Sequence, residues 1–180
     1  MNARSLPAIA VVLALAAPSV HQAVQVWTAT STEKIRPSTA ARAQAGAAIA
    51  AARNEFEAFQ IGITGAASGV VTTASDLAGP GGSTIPVRLY REALIWLSNP
   101  SALDGATGSW PDALVPAVDE LAGEARNAFP FDVPSGESRA VWAEVHVPSS
   151  AAAGTYQGTV TIGWSGEGLE VMPRSEPQTL

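Results

Sequence analysis

The chain contains no cysteine, and only two of its 180 residues are histidines. Without cysteine there can be no disulfide framework, no thiolate metal site and no cysteine for a lipid anchor. Zinc is a poor fit, because one or two histidines cannot complete its coordination shell. A nucleophilic triad is equally poorly supplied, since His146 is the only histidine beyond the N-terminal segment and no Gly-x-Ser-x-Gly motif accompanies it. We therefore expect no metal and no cofactor.

Charge is also scarce, since only 14% of the residues are charged. Acidic residues outnumber basic ones by 16 to 10, the formal net charge is −6, and lysines and arginines form no cluster. An acidic surface without a basic stripe repels phosphate groups. This composition argues against nucleic acid and against anionic membrane surfaces as partners.

Residues 1–23 have the organisation of a secretory signal peptide. Arg4 supplies the positive charge, residues 6–17 form the apolar core, and Ala23 is a small residue at which cleavage can occur. His21 stands where a small residue is preferred, so cleavage at a nearby bond is an alternative. The apolar run ends at Pro18, short of the about 20 residues that a membrane span needs. We predict a bacterial protein that is secreted or periplasmic, with no membrane span.

The remaining chain reads as one all-β domain over residues 24–165. Its 16 glycines and 13 prolines suit short strands joined by turns. Period-two alternation of apolar residues predicts strands at 24–29, 57–63, 70–74, 85–97, 139–147 and 154–164. The expected fold is an immunoglobulin-like antiparallel β-sandwich with one long irregular loop.

Three segments are harder to interpret. The alanine run at 47–53 favours helix by propensity, yet it leads into the alternating residues from Glu57, so we predict a strand pair there and keep helix as the alternative. Residues 98–129 have no periodicity and many prolines and glycines, which predicts an irregular loop that is functional or docked. Residues 166–180 predict a disordered or truncated tail. If that tail leaves the last strand unpaired, its open edge should promote association.

Several phrases of the chain occur together in one known family. The two at the ends of the domain are Arg53-Asn54-Glu55-Phe56-Glu57-Ala58-Phe59-Gln60 and Gly154-Thr155-Tyr156-Gln157-Gly158-Thr159-Val160-Thr161. Between them lie Val26-Trp27-Thr28, Leu89-Tyr90-Arg91-Glu92, the stretch 108–116 and the stretch 127–134. In combination they resemble the N-terminal β-sandwich domain of secreted glycoside hydrolase family 123-like proteins, over residues 24 to about 164.

The resemblance implies that catalysis belongs to a barrel that follows the sandwich. In that family a neighbouring Asp and Glu of the barrel act through the acetamido group of the substrate. No position of this chain matches those residues, so no catalytic residue is expected, and the implied partner is a downstream catalytic barrel that the chain lacks. The carboxylate pairs Asp119-Glu120 and Glu55 with Glu57 are interpreted as surface groups rather than as the acid and base of glycoside hydrolysis. Oxygen ligands between Asp104 and Asp119 could hold calcium, but their spacing matches no known loop pattern.

Three residues are the candidate site residues: Trp110, Asp112 and Trp142. Large aromatic residues in a small sandwich mostly fill the core, but Trp110 stands in the predicted loop, where no core position is expected. The leading hypothesis is an accessory domain that docks a catalytic barrel through residues 98–129. The alternatives are a free-standing carbohydrate-binding module, with Trp110 and Trp142 as stacking platforms, and a surface or adhesion domain.

Overall fold

The computed structural model describes residues 23–100, 102, 105–165 and 167–171. The predicted signal peptide therefore lies almost entirely outside the described residues. Within them no helix is long and apolar enough to cross a membrane. The strands are β1 (Gln25–Thr30), β2 (Phe56–Thr64), β3 (Ala67–Ala74), β4 (Leu77–Ala78), β5 (Thr84–Ile85), β6 (Val87–Leu97), β7 (Gly108–Pro116), β8 (Phe131–Val133), β9 (Ser138–His146), β10 (Val160–Ser165) and β11 (Glu167–Val171).

The strands form two facing antiparallel sheets and a small ribbon. The order is β1-β2-β9-β6-β7 in the five-stranded sheet and β11-β10-β3-β8 in the four-stranded sheet, while β4 pairs with β5. A turn at Pro80–Gly82 joins β4 to β5, with Gly81 in the left-handed region at φ 65°. The prediction of an all-β antiparallel sandwich is confirmed.

The main core lies between the two sheets. Alternate residues of β2 and β9 point into it, and Ile61 faces Val141 across the two strands with neither side chain exposed. Val70 and Ile162 meet them from the four-stranded sheet. The predicted alternation along 139–147 is confirmed, because every second residue of a strand faces the same side.

A second, smaller core covers part of the outer face of the five-stranded sheet. Trp27, Ala29, Ile35 and Ala140 are buried there, with Ala41 packed against them. Residues 31–55, here called the covering segment, run across this face without regular secondary structure. Thr28 holds the covering segment by a backbone bond to Gln44 O (2.8 Å) and a side-chain bond to Gly46 O (2.6 Å).

The strand pair predicted at 47–53 is wrong, and the helical alternative is not adopted either. Asn54 has φ 62°, which interrupts the extended path, and its N–H bonds to Val147 O at 2.7 Å. β2 therefore begins only at Phe56.

The prediction of a long loop at 98–129 is wrong over residues 108–116, which form β7. This strand pairs with β6, with Gly108 opposite Leu97 at one end and Pro116 opposite Tyr90 at the other. β7 is an edge strand, and prolines are tolerated at edges and bulges because one side needs no N–H donor. Asp112 is the extra residue of a bulge, since Ala93 pairs with Ala113 and Leu94 with Pro111. The longest irregular stretch is instead the covering segment.

The predicted disordered tail is corrected over residues 167–171. They form β11, which pairs with β10 from Trp164 opposite Glu167 to Thr161 opposite Val171. Main-chain pairing requires little of the side-chain pattern, so weak alternation did not exclude a strand. β11 covers the edge of β10 and is itself the edge strand of the four-stranded sheet, so the expectation of association now applies to β11. Residues 172–180 lie outside the described residues.

Candidate functional site

Exposed apolar side chains concentrate on the β6–β7 hairpin and the loop that follows it. Eight large hydrophobic residues are exposed in the described part of the chain, and five of them lie between positions 95 and 121: Ile95, Trp96, Leu114, Val118 and Leu121. Trp96 is 73% exposed. Such concentrations are uncommon on a soluble monomer and mark contact sites. We call Ile95, Trp96, Trp110, Asp112 and Leu114 the hairpin surface.

Trp110 is held on β7 by an arginine from the covering segment. Its indole Nε1–H donates to Ala106 O at 2.8 Å, and the Arg36 guanidinium lies over its ring, 4.1 Å from the centroid. Arg36 also donates to Thr107 O (2.9 Å) and Ser109 O (3.3 Å). One face of the indole is therefore already occupied, which leaves only the other face for a partner.

Arg36→Met is expected to lower the free energy of unfolding by about 1–2 kcal/mol, because it removes a cation–π contact and two hydrogen bonds. Urea unfolding measures that change, and acrylamide quenching reports the greater exposure of Trp110. Arg42→Met is the matched control. Arg42 also lies over an indole, 5.2 Å from the Trp27 ring, but its charge sits in an exposed ion pair with Glu33, and exposed ion pairs contribute little to stability. Equal losses in both variants would contradict the role given to Arg36.

Asp112 is exposed at the bulge, two residues from Trp110 on the same strand. Trp142 lies elsewhere. It is half-buried on the central strand β9, between Gln60 of β2 and Tyr90 of β6. On β6, Trp110 pairs with Ile95 and Trp142 pairs with Tyr90. Positions 90 and 95 are an odd number of residues apart, so their side chains point to opposite sides of the sheet. The two indoles, which lie beside them, therefore also face opposite sides. The structure joins Trp110 with Asp112 and separates both from Trp142.

Glu92 is a buried carboxylate that the sequence pattern did not reveal. It is 6% exposed, and its Oε1 is buried without a hydrogen-bond partner among the described residues. Burial raises the pKa of Glu92 to about 7, against a smaller lowering influence from Lys34. Alternation along β6 places Glu92 with Arg88 and Tyr90 on the outer, polar face. No local signal shows that this position is buried.

The adjacent pair Asp119-Glu120 serves the local structure. Asp119 accepts the N–H groups of Leu121 and Ala122, both at 2.9 Å, and pairs with Arg126 at 2.9 Å. The hydrogen bond from the Ala122 N–H is the largest cause that holds the pKa of Asp119 below its ordinary value, and the bond from Arg126 is the next. Glu120 pairs instead with Arg88 at 3.2 Å. The two carboxylates therefore have separate partners.

A cleft of 330 Å³ lies beside Trp110 and is mainly polar. Its arginines are already engaged, Arg36 by backbone carbonyls and Arg139 by Glu137 at 2.7 Å. It is lined by Arg36, Pro37, Ser38, Leu94, Ser109, Glu137 and Arg139. The described part of the chain holds no group of three or more His, Cys, Asp or Glu side chains arranged for a metal ion.

Comparison with known proteins identifies the family. Residues 18–163 match the model of the glycoside hydrolase 123 N-terminal domain. One similar solved structure is that of a family 123 glycoside hydrolase from Clostridium perfringens, which was analysed for its hydrolysis of glycolipid glycans. The identity is 18%, the TM-score is 0.47, and the match covers 67% of this chain but only 20% of that enzyme. No curated protein matches. Because the family model covers more than half of the residues, the chain belongs to the glycoside hydrolase 123 N-terminal domain family and carries a domain of a glycoside hydrolase-like protein.

Proposed function

We propose that this chain is the non-catalytic accessory β-sandwich of an exported bacterial glycoside hydrolase-like protein, and that it supports a catalytic barrel by docking it through the hairpin surface. The observation that carries the proposal is the concentration of exposed apolar side chains on β6, β7 and the following loop. The exported location, secreted or periplasmic, rests on the signal-peptide pattern of residues 1–23.

A docking role suits the composition of the hairpin surface. Interfaces draw most of their binding energy from a few aromatic and arginine side chains, and Trp96 projects from an edge hairpin with most of its surface exposed. Trp96 and Leu114 face one side of the hairpin, while Ile95 and Trp110 face the other. A partner that clasps the hairpin would bury apolar surface from both sides.

A catalytic role has little support from the described carboxylates. Glycoside hydrolysis requires two of them on opposite sides of one bond. Glu92 is buried, and ion pairs engage Glu33, Asp119, Glu120, Glu124 and Glu137. The surroundings of these six carboxylates are structural and give no support to a role as the acid or base of hydrolysis.

Docking is tested with the barrel that the proposal places downstream. We expect the source locus, read past the codon for Leu180, to encode such a barrel, and the separately produced barrel to bind this chain. Trp96→Ser should weaken that binding at least about 30-fold, as for a central interface tryptophan. Isothermal titration calorimetry measures the change. The chain alone should not hydrolyse a chromogenic N-acetyl-β-galactosaminide.

Val71→Ser is the matched control for docking. Val71 is 44% exposed, but it lies on β3 in the other sheet, so this variant should bind the barrel as the unchanged chain does. A locus that continues without a barrel would refute the proposal, and so would turnover by the purified chain. Equal loss in both variants would refute the docking site.

The alternative functions are a free-standing carbohydrate-binding module and a surface or adhesion domain. A platform made of Trp110 and Trp142 together is disfavoured, because the two indoles face opposite sides of the sheet and Arg36 occupies one face of Trp110. Trp142, however, lies on a different and more suitable surface.

A further inference from the structure

We propose that the outer face of the five-stranded sheet binds a neutral oligosaccharide along strands β2, β9 and β6. The binding surface, here called the sugar groove, consists of Phe56, His146, Glu144, Trp142 and Tyr90. It is separate from the hairpin surface, and the inference does not depend on docking of a barrel.

Aromatic rings stand at both ends of the sugar groove. Phe56 is 57% exposed and stacks on His146, with the ring centroids 4.3 Å apart and the planes at 23°. Four positions along the same two strands, Trp142 faces Gln60. At about 3.4 Å per residue, the two ends are about 14 Å apart, which is longer than one sugar ring. Flat rings can stack against the apolar C–H faces of pyranoses, and the distance favours an oligosaccharide over a monosaccharide.

The middle of the sugar groove supplies space and hydrogen-bonding groups. Ala58 faces Glu144, and Glu144 faces Arg88 on β6. The small alanine leaves room between the aromatic ends. The carboxylate of Glu144 can accept hydrogen bonds from sugar hydroxyls, and the guanidinium of Arg88 can donate hydrogen bonds to them. Aromatic and hydrogen-bonding groups thus alternate along the sheet, as the C–H faces and hydroxyls of a sugar chain do.

Two segments lie on either side of the central strand. On the β2 side, Gln60 Nε2 donates to Thr30 O and Glu33 O, both at 2.8 Å, and so holds the start of the covering segment. On the β6 side, Arg88 pairs with Glu120 of the loop after β7. The outer face of β9 therefore lies between two flanking segments, which gives the sugar groove its direction along the strands.

Two buried polar atoms of this face have no partner among the described residues, namely Trp142 Nε1 and Gln60 Oε1. A buried donor or acceptor left unpaired is energetically unfavourable. The two residues face each other across β9 and β2. Both atoms therefore have unused hydrogen-bonding capacity at the Trp142 end of the sugar groove, which ligand hydroxyls reaching that end could satisfy. This observation points to a ligand independently of the aromatic rings.

The charges favour a neutral glycan over acidic ligands. The charged groups along the sugar groove are Glu144, Arg88 and Glu120, with the buried Glu92 two residues from Tyr90 on the same face. Arg88 and Glu120 pair with each other. Glu144 therefore remains as the uncompensated charge, and the whole chain carries −6. Sulfated or sialylated glycans would be repelled. A protein partner would fit the hairpin surface better, because large apolar side chains are concentrated and exposed there.

The test uses the full chain on an array of neutral oligosaccharides of increasing length, printed beside their sialylated and sulfated counterparts. We expect saturable binding to a neutral oligosaccharide and none to the acidic counterparts. Calorimetry with the bound oligosaccharide should then show at least about a tenfold loss of affinity in Phe56→Ala. Trp142→Phe retains a ring but removes the N–H donor, and should show a similar loss.

Val71→Ala and Trp96→Ser are the controls. Both change exposed apolar residues outside the sugar groove and should leave glycan affinity unchanged, while circular dichroism checks that every variant is folded. The inference would be overturned if the chain bound none of the neutral glycans at millimolar concentration. A preference for acidic glycans, or full affinity in both Phe56→Ala and Trp142→Phe, would overturn it too. Because Trp96→Ser should weaken docking and leave glycan binding unchanged, failure of the proposed function and failure of this inference are distinguishable.

Discussion

Trp27→Ala is expected to lower the free energy of unfolding by about 3–5 kcal/mol, as for a fully buried large aromatic residue. The indole is 0% exposed and forms the centre of the small outer core with Ile35 and Ala140. Its Nε1–H donates to Thr64 Oγ1 at 2.9 Å. Urea unfolding followed by circular dichroism measures the loss.

The same substitution should also loosen the covering segment. Thr64 Oγ1 lies 2.6 Å from Ser138 Oγ, which donates to Thr39 O at 2.7 Å, so the indole starts a chain of bonds that ends in that segment. Hydrogen exchange across residues 31–55 should accelerate in Trp27→Ala. The exposed Trp96 is the matched control, because Trp96→Ser should change stability by no more than about 0.5 kcal/mol.

Gly62 provides the critical check on how Trp27 is held. A Cβ at position 62 would lie 2.8 Å from the indole Cδ2 and closer still to Cε2 and Cζ2. Gly62→Ala should therefore cost about 1–3 kcal/mol by overpacking. The clash disappears when the indole is absent, so the double variant should lose less than the sum of the two single losses. Strict additivity would show that Trp27 does not rest on Gly62.

The strands that the sequence predicted well are those whose pattern depends only on local alternation. β9 buries one face against the core, so Val141, Ala143 and Val145 fall at every second position. The strand predicted at 154–164 is correct only from Val160, where β10 begins. β7 was missed because Pro111 and Pro116 interrupt any strand that is paired on both sides. Whether a strand stands at an edge is decided by the whole sheet and not by the local residues.

The candidate site was predictable in part for the same reason. Trp110 and Asp112 were predicted to lie in an irregular loop, and the structure places them together on a bulged edge strand. The stacking of Phe56 on His146 was missed because it depends on the register between β2 and β9, which sequence periodicity does not fix. Glu92 was missed because strand alternation places it with Arg88 and Tyr90 on the polar outer face and does not show that it is buried.

Glu92 should make the protein less stable as the pH rises. Its ordinary pKa is 4.5, and burial raises it to about 7 in the folded chain. Between these values the folded state binds more protons than the unfolded state, so the free energy of unfolding falls as pH increases. The contribution of the protonated carboxyl is complete below about pH 4.5 and is lost as the pH passes through about 7. A difference of this size corresponds to about 3 kcal/mol.

Glu92→Gln removes the titration with little change of shape. It should match the unchanged chain near pH 4 and exceed it by about 2–3 kcal/mol at pH 8, measured by urea unfolding at a series of pH values. Lys34→Met should have the opposite effect at pH 8, because Lys34 favours the ionised carboxylate. The pKa values of Glu33 and Asp119 are lowered in the folded chain. These two groups therefore change stability only at pH values below the range from 4.5 to about 7 in which Glu92 titrates. Parallel stability curves for Glu92→Gln and the unchanged chain would contradict this, because they would show that folding does not shift the pKa of Glu92.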